Sequence, residues 1–162
     1  RLLEEIEPLR HQRPSVQLVS NLPYLDAVWR EVLRLYSPVH IGRHALREDL
    51  VVGKYRLPAG TDVMTNAWFI HRNPDVWSRP KEFIPERFID SSPGHAEYLP
   101  FSLGARGCPG KLLSHAVGKL VLFRLLSRLR VATCRSPRPG FMPSMVLPTL
   151  PSALPVSFHR GT

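Results

Sequence analysis

The sequence predicts a mainly α-helical fold with small β-sheets. Two stretches, residues 23–36 and 111–129, carry apolar residues at helical spacing, and short apolar segments between residues 49 and 65 are separated by turn residues. Proline accounts for 17 of the 162 residues. Because proline ends helices and removes hydrogen bonds from strands, a long coiled coil, a simple helical bundle and a regular barrel are poor models for this chain.

Three segments have a helical pattern. Residues 2–9 are typical of the end of an amphipathic helix, and residues 10–20 are expected to form a loop. Pro23 suits the first turn of a second helix, whose apolar face continues to Tyr36. Residues 111–129 form the third helix, which is rich in leucine.

Short strands lie between the second and third helices. Residues 50–52 and 55–57 flank Gly53-Lys54, which predicts a hairpin, and residues 61–66 predict a further strand. Residues 67–72 are expected to form a short helix that ends before a proline.

A long irregular segment and a terminal hairpin complete the prediction. Residues 75–110 contain five prolines, but also five large aromatic residues that can anchor them, so we expect an ordered, meandering loop. The end of the chain, up to Val156-Ser157-Phe158, fits a loop followed by a hairpin.

Composition restricts the function only broadly. The net charge of +9 favours an acidic partner, although a solvated basic surface explains it equally well. Two cysteines are too few for a disulfide framework or a four-cysteine zinc site. The sequence shows no uninterrupted apolar membrane span and no signal peptide, and it begins on a charged helical pattern, which suggests a piece of a longer protein.

The segment around Cys108 carries the clearest chemistry. This cysteine follows Gly104, Arg106 and Gly107 and directly precedes a long helix. A helix N-terminus and a nearby arginine both stabilise a thiolate. Three interpretations remain open from the residues alone: a buried structural cysteine, a catalytic thiol served by a histidine, and a single axial thiolate ligand to haem. The histidines available to a catalytic thiol would be His71, His95 or His115.

Three motifs in order resemble those of the cytochrome P-450 family. Residues 101–110 match every fixed position of F-x-x-G-x-R-x-C-x-G, the haem-binding signature of that family. Residues 31–34 resemble the E-x-x-R of its K helix, and residues 85–88 resemble the P-E-R-F of its meander. The resemblance covers nearly the whole chain. It implies that residues 1–162 are the C-terminal, haem-binding portion of one cytochrome P-450 domain, from the end of the J helix to the terminal strands, with the N-terminal part absent.

The resemblance implies a role for each motif residue. Cys108 would be the axial thiolate ligand of haem b, Arg106 would meet a haem propionate, and Arg43 resembles a second propionate partner. The remaining cofactor-binding positions would be Phe101, Gly104 and Gly110. A buried triad would support the cysteine loop, formed by Glu31, Arg34 and Arg87. His71 is expected to be structural rather than a ligand.

Two departures from the family pattern bear on the thiolate and on its helix. Pro109 has no N–H to donate to the sulfur, which predicts a more negative potential than a Pro109→Leu variant would have. Ser114 and Val117 stand where the family often has alanine and glutamate, which leaves the subfamily open. The family's oxygen-activating helix is absent, so no catalytic residue is expected in this chain.

The implied function is that of a haem-thiolate monooxygenase. The complete protein would oxidise an apolar small molecule with O2 and electrons from an acidic donor, either an NADPH-dependent flavoprotein reductase or a ferredoxin. The expected docking cations lie on the second and third helices: Arg30, Lys111, Lys119, Arg124 and Arg128. No recognisable nucleic-acid motif is present, so no specific nucleic-acid binding is expected.

Alternatives to a monooxygenase stay open. One is a haem-thiolate isomerase or dehydratase that does not activate O2, and another is a truncated, inactive product. The motifs favour eukaryotic membrane-bound classes, which implies the endoplasmic reticulum membrane or, for a ferredoxin-fed enzyme, the mitochondrial inner membrane. Any membrane anchor would belong to the missing N-terminal part.

Overall fold

The computed structural model describes residues 1–90, 93–134 and 156–160, and it shows short helices, two longer helices and three strand pairs. The α-helices are α1 (Leu2–Ile6), α2 (Val16–Ser20), α3 (Pro23–Leu35), α4 (Ala67–Ile70) and α5 (Lys111–Leu126). Single 3-10 turns occur at Glu7–Leu9, Pro85–Phe88 and Gly104–Arg106. No helix within the described ranges is long and apolar enough to cross a membrane.

The strands pair as three separate antiparallel ribbons. They are β1 (Ile41–Ala45) with β4 (Asp62–Asn66), β2 (Leu50–Val52) with β3 (Tyr55–Leu57), and β5 (Leu129–Cys134) with β6 (Val156–Arg160). Arg43 stands opposite Met64 in the first ribbon, and Val131 stands opposite Phe158 in the third. The predicted mainly α-helical fold with small β-sheets is therefore confirmed, while the loop expected over residues 135–155 lies outside the described residues.

The helical core forms where α1, α2, α3 and α5 meet. Its buried members are Ile6, Val19, Leu22, Leu25 and Phe123. The loop expected over residues 10–20 is wrong in its second half, because α2 occupies Val16–Ser20. The Ser15 hydroxyl accepts the Leu18 N–H at 3.1 Å and caps this single turn, and the complete burial of Val19 holds it against the core.

Helix α3 is held at both its start and its middle. The Glu5 carboxylate accepts the N–H groups of Tyr24 and Leu25, each at 2.8 Å, and so caps a helix whose own N-cap residue has no polar side chain. Further along, Trp29 packs directly on α5 at Gly118, where an added Cβ would lie 2.3 Å from the indole ring. Glycine at this position is what allows the two helices to come so close.

The first ribbon was only half predicted. β4 was expected, whereas β1, with the sequence Ile-Gly-Arg-His-Ala, has no apolar alternation to reveal it. The two strands place residues 41–45 beside the segment that leads to Cys108. Helix α5 ends at Leu126, three residues earlier than predicted, because Leu129 already begins β5.

Candidate functional site

A cavity of about 640 Å³ lies between the β1–β4 ribbon and the loop that carries Cys108. Pockets of about 300–1,000 Å³ are typical of small-molecule and cofactor sites. One wall comprises Val39, His40, Ile41, Gly42, His44, Thr65 and Ala67, and the other comprises Leu99, Pro100, Phe101, Ser102, Leu103, Arg106, Cys108, Gly110 and Ser114.

The cysteine loop is fixed by its own backbone. Gly104 adopts a φ of +60°, which starts the 3-10 turn over Gly104–Arg106 and favours glycine at this position. The Cys108 N–H donates to the Phe101 carbonyl at 2.9 Å, and the Lys111 N–H donates to the Cys108 carbonyl at 3.3 Å as α5 begins. The loop therefore closes on itself and presents a free, exposed Cys108 thiol to the cavity.

The structure brings most of the predicted cofactor-binding residues together around this thiol. Arg106 and Phe101 line the same cavity as Cys108, and the Phe101 ring lies 5.3 Å from the ring of His115. A Cβ added to Gly110 would lie 3.7 Å from the Cys108 sulfur, so the backbone passes close to the thiol there. The cavity thus combines one soft sulfur ligand, one fixed cation and mostly apolar walls.

Two predicted cofactor-binding residues do not line the cavity: Gly104, which only shapes the cysteine loop, and Arg43. Its exposed guanidinium pairs with Asp62 across the β1–β4 ribbon, and that carboxylate raises the pKa of Arg43. Its neighbour His44 lines the cavity instead. Alternation along the strand accounts for this, since successive side chains point to opposite faces. No local pattern in the sequence marks His44, because β1 has no apolar alternation that would show which of its side chains share a face.

The structure also joins the three residues of the predicted triad. The Glu31 carboxylate accepts from Arg34 Nε at 2.7 Å and from Arg87 Nε at 3.2 Å. Glu31 and Arg34 are completely buried, and the same carboxylate accepts the Ile84 N–H at 2.8 Å. This cluster fastens α3 to the 3-10 turn that contains Arg87.

Arg34 uses every N–H of its guanidinium. Two bonds go to Glu31, and three go to the backbone carbonyls of His71, Pro80 and Glu82. The guanidinium also lies over the Trp77 ring, 5.0 Å from its centroid. An arginine suits this position because five donors in a fixed plane match five acceptors that the fold has brought together.

The expected docking cations divide into two kinds. Lys119 is buried, with its ammonium 2.9 Å from an Asp26 carboxylate oxygen. The prediction that Lys119 is one of the exposed docking cations is therefore wrong. Arg30 pairs with the same aspartate at 3.2 Å. The members that stay exposed are Lys111, Arg124 and Arg128.

The comparison with protein families decides the identity of this arrangement. The family model described as cytochrome P450 matches residues 1–156. The chain belongs to the cytochrome P-450 family. It is similar to vinorine hydroxylase of Rauvolfia serpentina (37% identity over 84% of this chain and 32% of that protein) and to trans-cinnamate 4-monooxygenase of Helianthus tuberosus (35% identity over 82% and 28%).

A solved structure agrees with the sequence matches. A zebra fish cytochrome P-450 in complex with abiraterone superposes with a TM-score of 0.85 and 30% identity, over 99% of this chain and 39% of that one. The fold is therefore the C-terminal portion of a cytochrome P-450. The chain spans about a third or less of the length of the curated relatives it matches.

The cavity fits the haem that the family implies. One wall carries the exposed sulfur of Cys108 and the cation of Arg106, the kinds of group that a haem iron and a haem propionate would need.

Proposed function

We propose that residues 1–162 form the C-terminal, haem-binding portion of a single haem-thiolate monooxygenase domain. The observation that carries the proposal is the Cys108 thiol, which faces the cavity together with Arg106 from a loop held by backbone hydrogen bonds. Cys108 would ligate the iron of haem b, Arg106 would neutralise a propionate, and Phe101 would exclude water from the sulfur. Bound through a thiolate, haem supplies cleavage of the O–O bond of O2 and oxidation of an apolar substrate.

The apolar face of α5 supports the view that this chain is part of a larger domain. Leu112 and Leu113 are 82% and 68% exposed, and a stripe four residues apart continues along the helix through Val117, Val121 and Leu125. An apolar stripe of this length is normally buried by neighbouring helices. Because the relatives are about three times longer or more, we propose that their remaining part covers this face and that residues 1–162 alone lack monooxygenase activity.

The electron donor is proposed to be an acidic protein. Lys111 is the first residue of α5, directly after the cysteine loop, and the other exposed cations are Arg124 in the last turn of α5 and Arg128 just beyond it. Charge complementarity would accelerate association and make it sensitive to salt. With a flavoprotein reductase or a ferredoxin as donor, the rate of reduction should fall as ionic strength rises and fall further in Lys111→Glu. The matched control is Lys54→Glu on the β2–β3 turn, and equal effects of the two variants would contradict this surface.

The class of electron donor also bears on the membrane in which the complete protein lies. We propose the endoplasmic reticulum membrane for the natural full-length protein, which pairs with a flavoprotein reductase. Preferential reduction by a ferredoxin would favour the mitochondrial inner membrane instead.

The direct test of haem ligation is the spectrum of the reduced, CO-bound protein. The natural full-length protein should show the red-shifted Soret band of a thiolate-ligated haem, and Cys108→Ser should abolish that band. Cys134→Ser, which alters the other cysteine of the sequence, is the matched control and should leave the band unchanged. Loss of the band in both variants, or in neither, would contradict the assignment of Cys108.

Haem binding by residues 1–162, compared with haem binding by a longer natural chain, tests the proposal that these residues are part of a larger domain. If residues 1–162 bind no haem while a longer natural chain does, the haem site depends on the missing part of the domain. An oxygenated product formed by residues 1–162 alone, with an electron donor and O2, would refute the proposal that they lack activity.

A further inference from the structure

His71 bridges α3 and the segment that enters the cysteine loop. It follows α4 directly and is completely buried. Its Nδ1 lies 3.0 Å from the Arg34 carbonyl oxygen, and its Nε2 accepts the Leu99 N–H at 2.8 Å. One imidazole therefore contacts backbone groups that lie 37 residues before it and 28 residues after it.

These two partners fix the state of the ring. A carbonyl oxygen can only accept, so Nδ1 must carry the proton, and an amide N–H can only donate, so Nε2 must carry the lone pair. The imidazolium would present an N–H to the Leu99 N–H and lose that bond. Burial, with the positive charges of Arg34 and Arg72, agrees with this by lowering the pKa of His71 to about 4.

We propose that His71 is a positioning residue that connects the buried Glu31–Arg34 pair to the loop presenting Cys108. The inference rests on the proposed function, in which Cys108 ligates haem. His71 does not itself line the cavity, so it would act on the thiol only through the backbone that begins at Leu99, which His71 holds and which does line the cavity.

The path from His71 to the thiol is short. Leu99 is followed by Pro100 and then by Phe101, whose carbonyl accepts the Cys108 N–H at 2.9 Å. The Arg34 guanidinium also donates to the His71 carbonyl, so α3 binds the backbone of His71 as well as its ring. A second tie, from the Ser37 hydroxyl to the Pro100 carbonyl, is longer at 3.4 Å. The shorter bond to Leu99 therefore sets where the cysteine loop begins.

The surroundings of the ring separate its polar role from its packing role. His71 stacks on Tyr98 at 5.5 Å between centroids and meets the edge of Trp77 at 6.5 Å. A phenylalanine could keep these contacts while losing both hydrogen bonds. A glutamine has a donor and an acceptor on one amide and could restore the polar link.

The experiment compares His71→Phe and His71→Gln in the natural full-length protein loaded with haem. His95→Gln, on the exposed part of the meander, is the control. The readouts are the ratio of thiol-ligated to thiolate-ligated haem in the reduced, CO-bound spectrum, and the melting midpoint. We expect His71→Phe to raise that ratio about tenfold, because of its two lost hydrogen bonds only the one to Leu99 reaches the cysteine loop, and His71→Gln to return the ratio toward the wild-type value.

The outcomes separate this inference from the proposed function. If the wild-type protein shows no thiolate band, the proposed function fails. If the wild type shows the band and His71→Phe leaves the ratio unchanged, the role of His71 is refuted while the proposed function stands. A ratio that rises equally in the Phe and Gln variants would also refute it, because packing alone would then explain the change.

A measurement on the wild-type protein covers the case in which His71→Phe does not fold. Histidine labelled with ¹⁵N reports the tautomer directly by NMR, and His71 should be neutral with its proton on Nδ1 at pH 7. A protonated ring or the Nε2–H tautomer would overturn the proposal.

Discussion

Replacing Arg34 by alanine should prevent the protein from reaching a haem-loaded native state. The variant removes five hydrogen bonds and leaves the Glu31 carboxylate, which is completely buried, without its main partner. Breaking a buried ion pair by removing one member costs about 3–5 kcal/mol. Three backbone carbonyls also lose their donor, at about 1–3 kcal/mol for each one left buried and unsatisfied. The sum is comparable with the whole stability of a domain, about 5–15 kcal/mol.

Two control variants separate the stability lost in Arg34→Ala from a general effect of removing an arginine. Arg87 lies 3.2 Å from Glu31 and neutralises part of its buried charge in any variant at position 34. Arg34→Lys keeps the positive charge but lacks the planar guanidinium with its five N–H donors, so it should recover only part of the stability. Arg56→Ala removes an arginine that also forms two hydrogen bonds to a carboxylate, that of Asp49, but on the exposed β2–β3 ribbon. That control should melt with the wild type.

The assay is haem content together with the thermal melting midpoint of the natural full-length protein. We expect Arg34→Ala to be recovered unfolded or free of haem, and Arg56→Ala to be recovered fully loaded. A folded, haem-loaded Arg34→Ala protein that melts at the same temperature as Arg56→Ala would refute the argument that the five buried contacts hold α3 to the meander.

Three further changes test other parts of the structure. Gly118→Ala should lower the free energy of unfolding by about 1–3 kcal/mol, despite the better helix propensity of alanine, because its Cβ would collide with the Trp29 ring. Thermal melts should show a lower midpoint for this variant, and adding Trp29→Leu should restore part of it. The free energy of unfolding should fall as the pH is lowered from 6.5 to 4, because His71 takes up a proton in the unfolded chain but stays neutral in the folded one; the loss is at most roughly 3 kcal/mol. Urea titrations at several pH values should show that the free energy of unfolding of His71→Gln depends less steeply on pH than that of the wild type, and an equal dependence would contradict the assignment. Pro109→Leu should raise the haem midpoint potential by adding an N–H donor beside the thiolate, and a lower potential by spectroelectrochemistry would contradict this.

The sequence was sufficient for elements whose signals are local. α3 and α5 have long apolar patterns, and the β2–β3 hairpin has a Gly-Lys turn between apolar runs. α2 and β1 were missed because neither has a period of its own. A one-turn helix needs the core around Val19, and β1 needs its partner β4, and both are contacts that appear only after the chain folds.

The candidate site shows the same division. The motif around Cys108 predicted a thiol in a glycine-rich loop before a helix, and the structure brings that thiol and Arg106 to one cavity. The side to which Arg43 points depends on the register of β1 with β4, which no local pattern specifies. The carbonyl acceptors of Arg34 lie at least 37 residues away in sequence, so five satisfied donors could not be foreseen from the spacing of Glu31 and Arg34.

The position of those acceptors has a consequence for the order of folding. α3 can form early with Arg34 in water, but it cannot bury that guanidinium until residues 71–82 have returned to it across a loop of more than thirty residues. Closing that loop costs entropy before any of the three carbonyl bonds form. The buried arginine should therefore be locked late, after the transition state, and its loss should speed unfolding more than it slows folding. In a cell, such a variant would be lost to proteolysis, because any native state that it reaches would open rapidly.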